Sequence, residues 1–298
     1  MCRLVDLTGI FPPLPTSFGI EDDLLTEKMQ ENILQLNQFE LRGYLILGSN
    51  GELVNLSEDE KLAVYEATRA VIPKDKLMLA GTGAQSTKET IRLTIGAGRA
   101  GADAALVLNP SYYKGLMTKQ ALVAHYHDVA EESVIPVIIY NMPANSGMDM
   151  DAETIREIAA HPNIIGLKDS GGNLTKMGQI IHEAKEGFQV LAGSAGFLLP
   201  ALSLGAAGGI LALANIAPQE SLNIIKAFNE GDLKNAAELQ RRVIKLNTAI
   251  TRGWGVPALK TAMDHQGLYG GPCRKPIQPL DNEVIIKLKN LITESLNL

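Results

Sequence analysis

The sequence predicts an α/β chain folded as a (β/α)8 barrel with a C-terminal helical extension. Three observations lead there. Short apolar runs recur eight times without the polar alternation of a half-buried strand, which marks strands covered on both faces. Segments with helix-start signals separate these runs, and strands spaced by helices imply a parallel sheet. No run opens onto a Gly-x-Gly-x-x-Gly helix start, since Gly81-Thr82-Gly83 lacks the third glycine at the right spacing. Eight units over about 210 residues fit a closed barrel, with a doubly wound open sheet as the alternative.

Taken in order, strands are expected at Gly9–Phe11, Gly43–Leu47, Leu77–Ala80, Ala104–Leu108, Val137–Tyr140, Ile164–Lys168, Gln189–Ala192 and Gly208–Leu211. Ser57-Glu58-Asp59-Glu60 is a capping box that opens a helix carrying Leu62, Tyr65 and Ile72 on roughly one face. Ser86-Thr87-Lys88-Glu89 repeats the device. Asp151 caps a helix carrying Ile155, Ile158 and Ala159, which His161-Pro162 ends. The uncharged stretch from Gly187 to Gln219 is long enough to suggest a membrane span. Gly193, Gly196, Pro200, Gly205, Gly208 and Gly209 divide it instead into a strand, a short buried helix over Phe197–Leu204, and another strand. After Pro218 the pattern is helical: Glu220–Phe228, Leu233–Thr251, Ala258–Gln266 and Asn282–Ser295. The expected division is a catalytic barrel over residues 1–218 and a helical segment over 219–298 packed on it.

Composition narrows the function. The chain has 298 residues, 46% of them hydrophobic, enough for a sizeable core. Its net charge is 27 − 33 = −6 with no basic block, which argues against nucleic acid and anionic membrane as partners but not against a local basic pocket. The two cysteines, Cys2 and Cys273, form neither a metal pattern nor a disulfide framework, so a reducing, cytoplasmic setting is expected. The segment Met1–Asp6 has no apolar signal core or transit character. His125, His127, His161, His182 and His265 show no zinc spacing, and no metal is expected.

In a barrel the chemistry sits at the C-terminal ends of the strands. Lys168 ends the sixth, an unusual place for a lone ammonium. Burial there disfavours the charged form, and a partly neutral lysine can attack a carbonyl and form a Schiff base. The alternative is a lysine that reaches past the strand end into water. Tyr140 ends the fifth strand, about 4.8 Å from the sixth in the pairing direction, close enough to shuttle protons to and from an imine. A half-buried tyrosine bonded to a loop is the alternative there. Gly48-Ser49-Asn50-Gly51-Glu52 leaves the second strand as a tight turn whose successive N–H groups can form a nest for a carboxylate. It could equally be a plain turn with Glu52 as its cap. Tyr112 and Tyr113 follow the fourth strand, and the spacing does not say which one faces a site.

Together these segments resemble the N-acetylneuraminate lyase / dihydrodipicolinate synthase superfamily of pyruvate-dependent class I aldolases. The resemblance runs from Gly9-Ile10-Phe11-Pro12-Pro13 to Tyr269-Gly270-Gly271-Pro272. The strand-2 turn, Pro143-Ala144-Asn145-Ser146-Gly147, Lys168-Asp169-Ser170-Gly171-Gly172 and Leu191-Ala192-Gly193-Ser194-Ala195-Gly196-Phe197 are most similar to the 4-hydroxy-2-oxoglutarate aldolase branch. The resemblance implies a homotetramer, a dimer of dimers, that needs no metal. It implies Lys168 as the Schiff-base lysine and Tyr140 as the proton-shuttling phenol, relayed through Ser49 and through Tyr112, lent across a dimer interface. It places Ser49 and Asn50 on the pyruvate carboxylate, the Ile210 carbonyl facing the site, and Ser170 near the distal end of the substrate.

Two departures set the expected substrate. Dihydrodipicolinate synthases carry an arginine where this chain has Asn145, and an amide does not replace a bidentate guanidinium. They usually carry threonine where this chain has Asn50. The segment after Lys168, Asp169-Ser170-Gly171-Gly172, differs from the sialic-acid lyase pattern. The expected activity is therefore reversible cleavage of a 4-hydroxy-2-oxo acid, first 4-hydroxy-2-oxoglutarate, to pyruvate and glyoxylate. The alternatives are a synthase joining pyruvate to aspartate semialdehyde, a sugar-acid aldolase or dehydratase, or a regulator that only binds pyruvate or sugar acids. No strand end supplies an arginine for a second carboxylate. Ser170, Asn145 and backbone N–H groups would hold it, or a cation such as Lys114 or Arg252.

Overall fold

The structure, a computed structural model, describes residues 5–296. Its strands are β1 (Gly9–Phe11), β2 (Gly43–Ile46), β3 (Leu77–Gly81), β4 (Ala104–Leu108), β5 (Val137–Asn141), β6 (Ile164–Asp169), β7 (Gln189–Ala192) and β8 (Gly208–Ile210). They pair in parallel in the order β1-β8-β7-β6-β5-β4-β3-β2. A parallel bridge between Pro13 and Leu45 closes the ring, and the Leu45 N–H donates to the Pro12 carbonyl at 3.0 Å. The predicted (β/α)8 barrel is the observed fold.

The strand faces explain the pattern of the sequence. Phe11, Leu45, Leu79, Leu106, Ile138, Tyr140, Leu191 and Ile210 fill the barrel interior. The residues between them, among them Tyr44, Ile46, Ala80, Ala105, Val107, Ile139 and Leu167, pack against the helices. Successive side chains point to opposite faces, and here both faces are apolar, so no polar alternation exists to be read. β2 stops at Ile46 because Leu47 takes φ 56°, a left-handed conformation that cannot continue a strand.

The predicted caps form. The Glu60 N–H donates to Ser57 Oγ at 3.3 Å and the Ser57 N–H to Glu60 Oε2 at 2.7 Å. Ser86 caps through the Glu89 N–H at 3.2 Å, and Asp151 through the Thr154 N–H at 2.8 Å. The uncharged stretch holds β7, a short helix Leu198–Ser203 and β8. No helix of the described residues is long and apolar enough to cross a membrane. Cys2 lies outside the described residues.

Helices Pro218–Asn229, Leu233–Thr248, Gly255–His265 and Asn282–Leu296 follow β8, and a π-helical turn over Ala249–Gly253 joins the second to the third. A buried ion pair ties this region to the turn after β2: Lys260 Nζ lies 2.7 Å from Glu52 Oε1, and both side chains are 1% exposed. The Arg274 N–H donates to Glu52 Oε2 at 2.9 Å, and the Arg274 guanidinium donates to both Glu60 oxygens at 2.7 and 2.8 Å. That guanidinium is the main reason the Glu60 carboxyl titrates low, down to about 2 from an ordinary 4.5. A carboxylate depressed on folding stabilises above its ordinary value, and the gain is lost as the pH falls from 4.5 through 2. Thermal midpoints should therefore fall between pH 5 and pH 2, and Arg274→Gln should flatten part of that slope in a circular-dichroism melt series.

Candidate active site

The register of β5 on β6 sets Tyr140 directly opposite Lys168. Both side chains are 4% exposed, and Lys168 Nζ lies 4.1 Å from the centre of the Tyr140 ring. The Tyr140 hydroxyl is 3.3 Å from Ser49 Oγ, which links the ends of β5 and β2.

The pleat sends the next residue of each strand outward. Asn141 Nδ2 donates to Asp169 Oδ1 at 2.8 Å and to Asp149 Oδ1 at 2.7 Å. Lys176 Nζ pairs with Asp149 and lies 3.9 Å from Asp169 Oδ2. Asp169 thus has Lys176 beside it on the outer face. On the inner face no carboxylate of the described residues pairs with Lys168.

The turn after β2 has the form of an anion cradle. Ser49–Gly51 make one 3-10 turn, in which the Gly51 N–H reaches the Gly48 carbonyl at 3.0 Å and the Glu52 N–H the Ser49 carbonyl at 3.2 Å. The amides of Ser49 and Asn50 meet no acceptor among the described residues. Leu47 and Glu52 flank the turn at φ 56° and 53°. Such a conformation costs a non-glycine residue about 1–2 kcal/mol, so the surroundings must hold it. They do: Thr16 Oγ1 donates to the Gly51 carbonyl at 2.6 Å, and Lys260 anchors the Glu52 carboxylate.

A cavity of about 570 Å³ joins these parts. Ser49, Asn50, Tyr140, Asn145, Lys168, Ser170 and Ile210, all anticipated from the sequence, line it together. The Ser170 hydroxyl fits because residue 193 is glycine: a Cβ there would stand 2.0 Å from Ser170 Oγ. Tyr112 is not brought to the cavity within one chain. It is 78% exposed and packs edge-on against Tyr113 with ring centres 5.0 Å apart. Its loop is held by Gln85 Oε1, which accepts from the Ser111 and Tyr112 N–H groups at 2.9 Å each. Lys114 also lies outside the lining, beside Gly147.

The cavity has a wall that strand ends do not supply. Ile250, Thr251, Arg252, Gly255 and Val256 close it from the C-terminal segment. Only Arg252 among them was a candidate from the sequence. The one signal for this wall was the Gly253-Trp254-Gly255 break in the helical pattern, which by itself reads as a loop.

Comparison with known proteins agrees over almost the whole chain. The profile of the dihydrodipicolinate synthetase family matches residues 6–295. A probable mitochondrial 4-hydroxy-2-oxoglutarate aldolase of Emericella nidulans is 35% identical over 295 residues, covering 97% of this chain and 95% of that one. A 4-hydroxy-tetrahydrodipicolinate synthase of Methanococcoides burtonii is 35% identical over 287 residues, covering 96% and 97%. Among solved structures, the Escherichia coli prophage protein YagE, of the dihydrodipicolinic acid synthase family and in complex with pyruvate, superposes with a TM-score of 0.90 at 31% identity. That match covers 98% of this chain and 99% of YagE.

Proposed function

This chain belongs to the dihydrodipicolinate synthetase family, pyruvate-dependent carbon–carbon lyases that work through a lysine Schiff base, and on that premise we propose that it reversibly cleaves 4-hydroxy-2-oxoglutarate to pyruvate and glyoxylate. The observation that carries the reading is Lys168 set face to face with Tyr140 at the floor of the cavity. Lys168 Nζ adds to the C2 carbonyl and water leaves, forming a protonated imine. The C3–C4 bond then breaks, its electrons flow into the iminium, and C4 leaves as the aldehyde. Tyr140 receives the C4 hydroxyl proton and passes it along Ser49. Protonation of the enamine at C3 and hydrolysis of the imine release pyruvate and restore the amine. The iminium is the electrophile, so the reaction requires no metal. Ser49 and Asn50 hold the C1 carboxylate in the turn after β2, the Ile210 carbonyl faces the imine, and Ser170 and Asn145 face the C4 substituent.

The choice of aldehyde rests on Asn145, which lacks the guanidinium that a synthase would present to aspartate semialdehyde. The synthase remains the second reading, because its relatives match at the same 35% identity. In the assembly we propose, a homotetramer in the cytoplasm, Tyr112 enters a neighbouring subunit's cavity and extends the relay from Ser49. Its exposure leaves it available for this role.

The test is covalent trapping. Incubation with pyruvate and borohydride should leave a reduced adduct on Lys168, located by peptide mass spectrometry, and no adduct would sink the reading. A screen of pyruvate with glyoxylate, aspartate semialdehyde and sugar aldehydes then ranks the partners, with glyoxylate expected first. Tyr140→Phe removes the proton carrier and leaves the nucleophile. Turnover should fall by about 10²–10⁴-fold while pyruvate is still trapped, and a variant with full turnover would exclude the phenol from the relay.

A further inference from the structure

The protein carries a net charge of −6, yet two basic side chains, Lys168 and Arg252, line its cavity. Among the described residues, no aspartate or glutamate lines it. Lys168 is engaged by the ketone, and the turn after β2 has amides for one carboxylate. Arg252 has no assigned partner: it makes no hydrogen bond or ion pair with a described residue. Arg274, by contrast, is committed elsewhere, with both of its terminal nitrogens bonded to the Glu60 carboxylate.

Its position suits the far end of a substrate. In the closed strand order, β6 stands across the barrel from β2. The Arg252 guanidinium lies over the loop leaving β6, with Nη2 3.9 Å from where a Cβ on Gly172 would sit, two residues beyond Ser170. The carboxylate turn, Ser49–Gly51, leaves β2. The π-helical turn over Ala249–Gly253 presents the arginine, and such turns, with one residue more per loop than an α-helix, recur at functional sites.

We infer that Arg252 is the specificity-determining residue for the distal group: its guanidinium binds the second carboxylate of a 2-oxo diacid, with Ser170 beside it. This rests on the aldolase reading above and replaces the arginine that Asn145 does not provide. A planar, permanently charged fork holds a carboxylate in two parallel hydrogen bonds. A substrate without that carboxylate gains nothing from it.

The discriminating pair of substrates is 4-hydroxy-2-oxoglutarate and 4-hydroxy-2-oxopentanoate, which differ only by a carboxylate or a methyl at C5. Arg252→Gln should lower the ratio of their kcat/KM values, diacid over monoacid, by about 10²-fold. Arg252→Lys should lower it by less, because charge survives but the fork does not. Borohydride trapping of pyruvate on Lys168, run on each protein, separates the possible failures. An adduct with an unchanged ratio overturns the role of Arg252 alone. Absence of the adduct in the unmodified protein overturns the aldolase reading and this inference with it.

Discussion

Lys168→Arg is expected to abolish both cleavage of 4-hydroxy-2-oxoglutarate and trapping of pyruvate while leaving the protein folded. Arginine keeps the positive charge at a site that is 4% exposed, and a guanidinium can still lie against the Tyr140 ring. The barrel therefore loses little. Chemistry loses everything, because a guanidinium stays protonated and offers no nucleophilic lone pair. Turnover should fall by at least about 10⁴-fold, the scale seen when an enzyme loses its nucleophile. Pyruvate release in a coupled assay and the intact mass after borohydride report the two losses separately. A persisting adduct elsewhere, for instance on Lys176, would reassign the nucleophile. Lys176 is a poor candidate: it stands on the outer face of the sheet, paired with Asp149 and beside Asp169.

Lys260→Met should produce the largest loss of stability. Removing the lysine leaves the Glu52 carboxylate buried without its cation, held by the Arg274 N–H, a long contact from Asn55 Nδ2 and the Cys273 thiol. Breaking a buried pair from one side costs about 3–5 kcal/mol. Urea unfolding should show that loss as a lower midpoint, and Lys260→Met combined with Glu52→Gln should recover part of it, since no charge is then stranded. A Lys260→Met protein within about 1 kcal/mol of the parent would mean the pair does not anchor the turn. The damage should also reach function. Glu52 holds φ 53° directly after the Ser49–Gly51 turn, so a relaxed Glu52 loosens the turn proposed to hold the carboxylate and should raise the KM for pyruvate.

The barrel was legible because its strands are covered on both faces. Uninterrupted apolar runs followed by Gly- and Ser-rich turns leave few other folds, and the strand bounds came within one residue of those observed. Among the differences, Leu47 leaves β2 by turning left-handed, and β5 and β6 extend to Asn141 and Asp169 because the backbone ladder continues there, with the Ser170 N–H donating to the Asn141 carbonyl at 2.9 Å and the Gly193 N–H to the Asp169 carbonyl at 2.8 Å. Lys168, Tyr140, Ser49, Asn50, Ser170, Asn145 and Ile210 could be named beforehand because a barrel gathers its strand ends at one mouth.

The sequence by itself thus determined the frame and the strand-end lining of the cavity, since both follow from local periodicity and from which residue ends each strand. Three things waited for the tertiary structure. Lys168 and Lys176 both stand close to Asp169 in sequence, and only the tertiary structure shows that one pairs with Asp149 outside the sheet while the other faces the cavity. Glu52 and Lys260 are 208 residues apart, 260 − 52, and only packing makes them one ion pair. Arg252 reaches the cavity from beyond the last strand, carried by a π-helical turn that no strand-end rule covers, while Lys114, equally cationic in sequence, lies outside the lining. The physical reason is common to all three: hydrophobic periodicity is written along the chain, whereas the pairing of charges depends on which distant segments the barrel folds together.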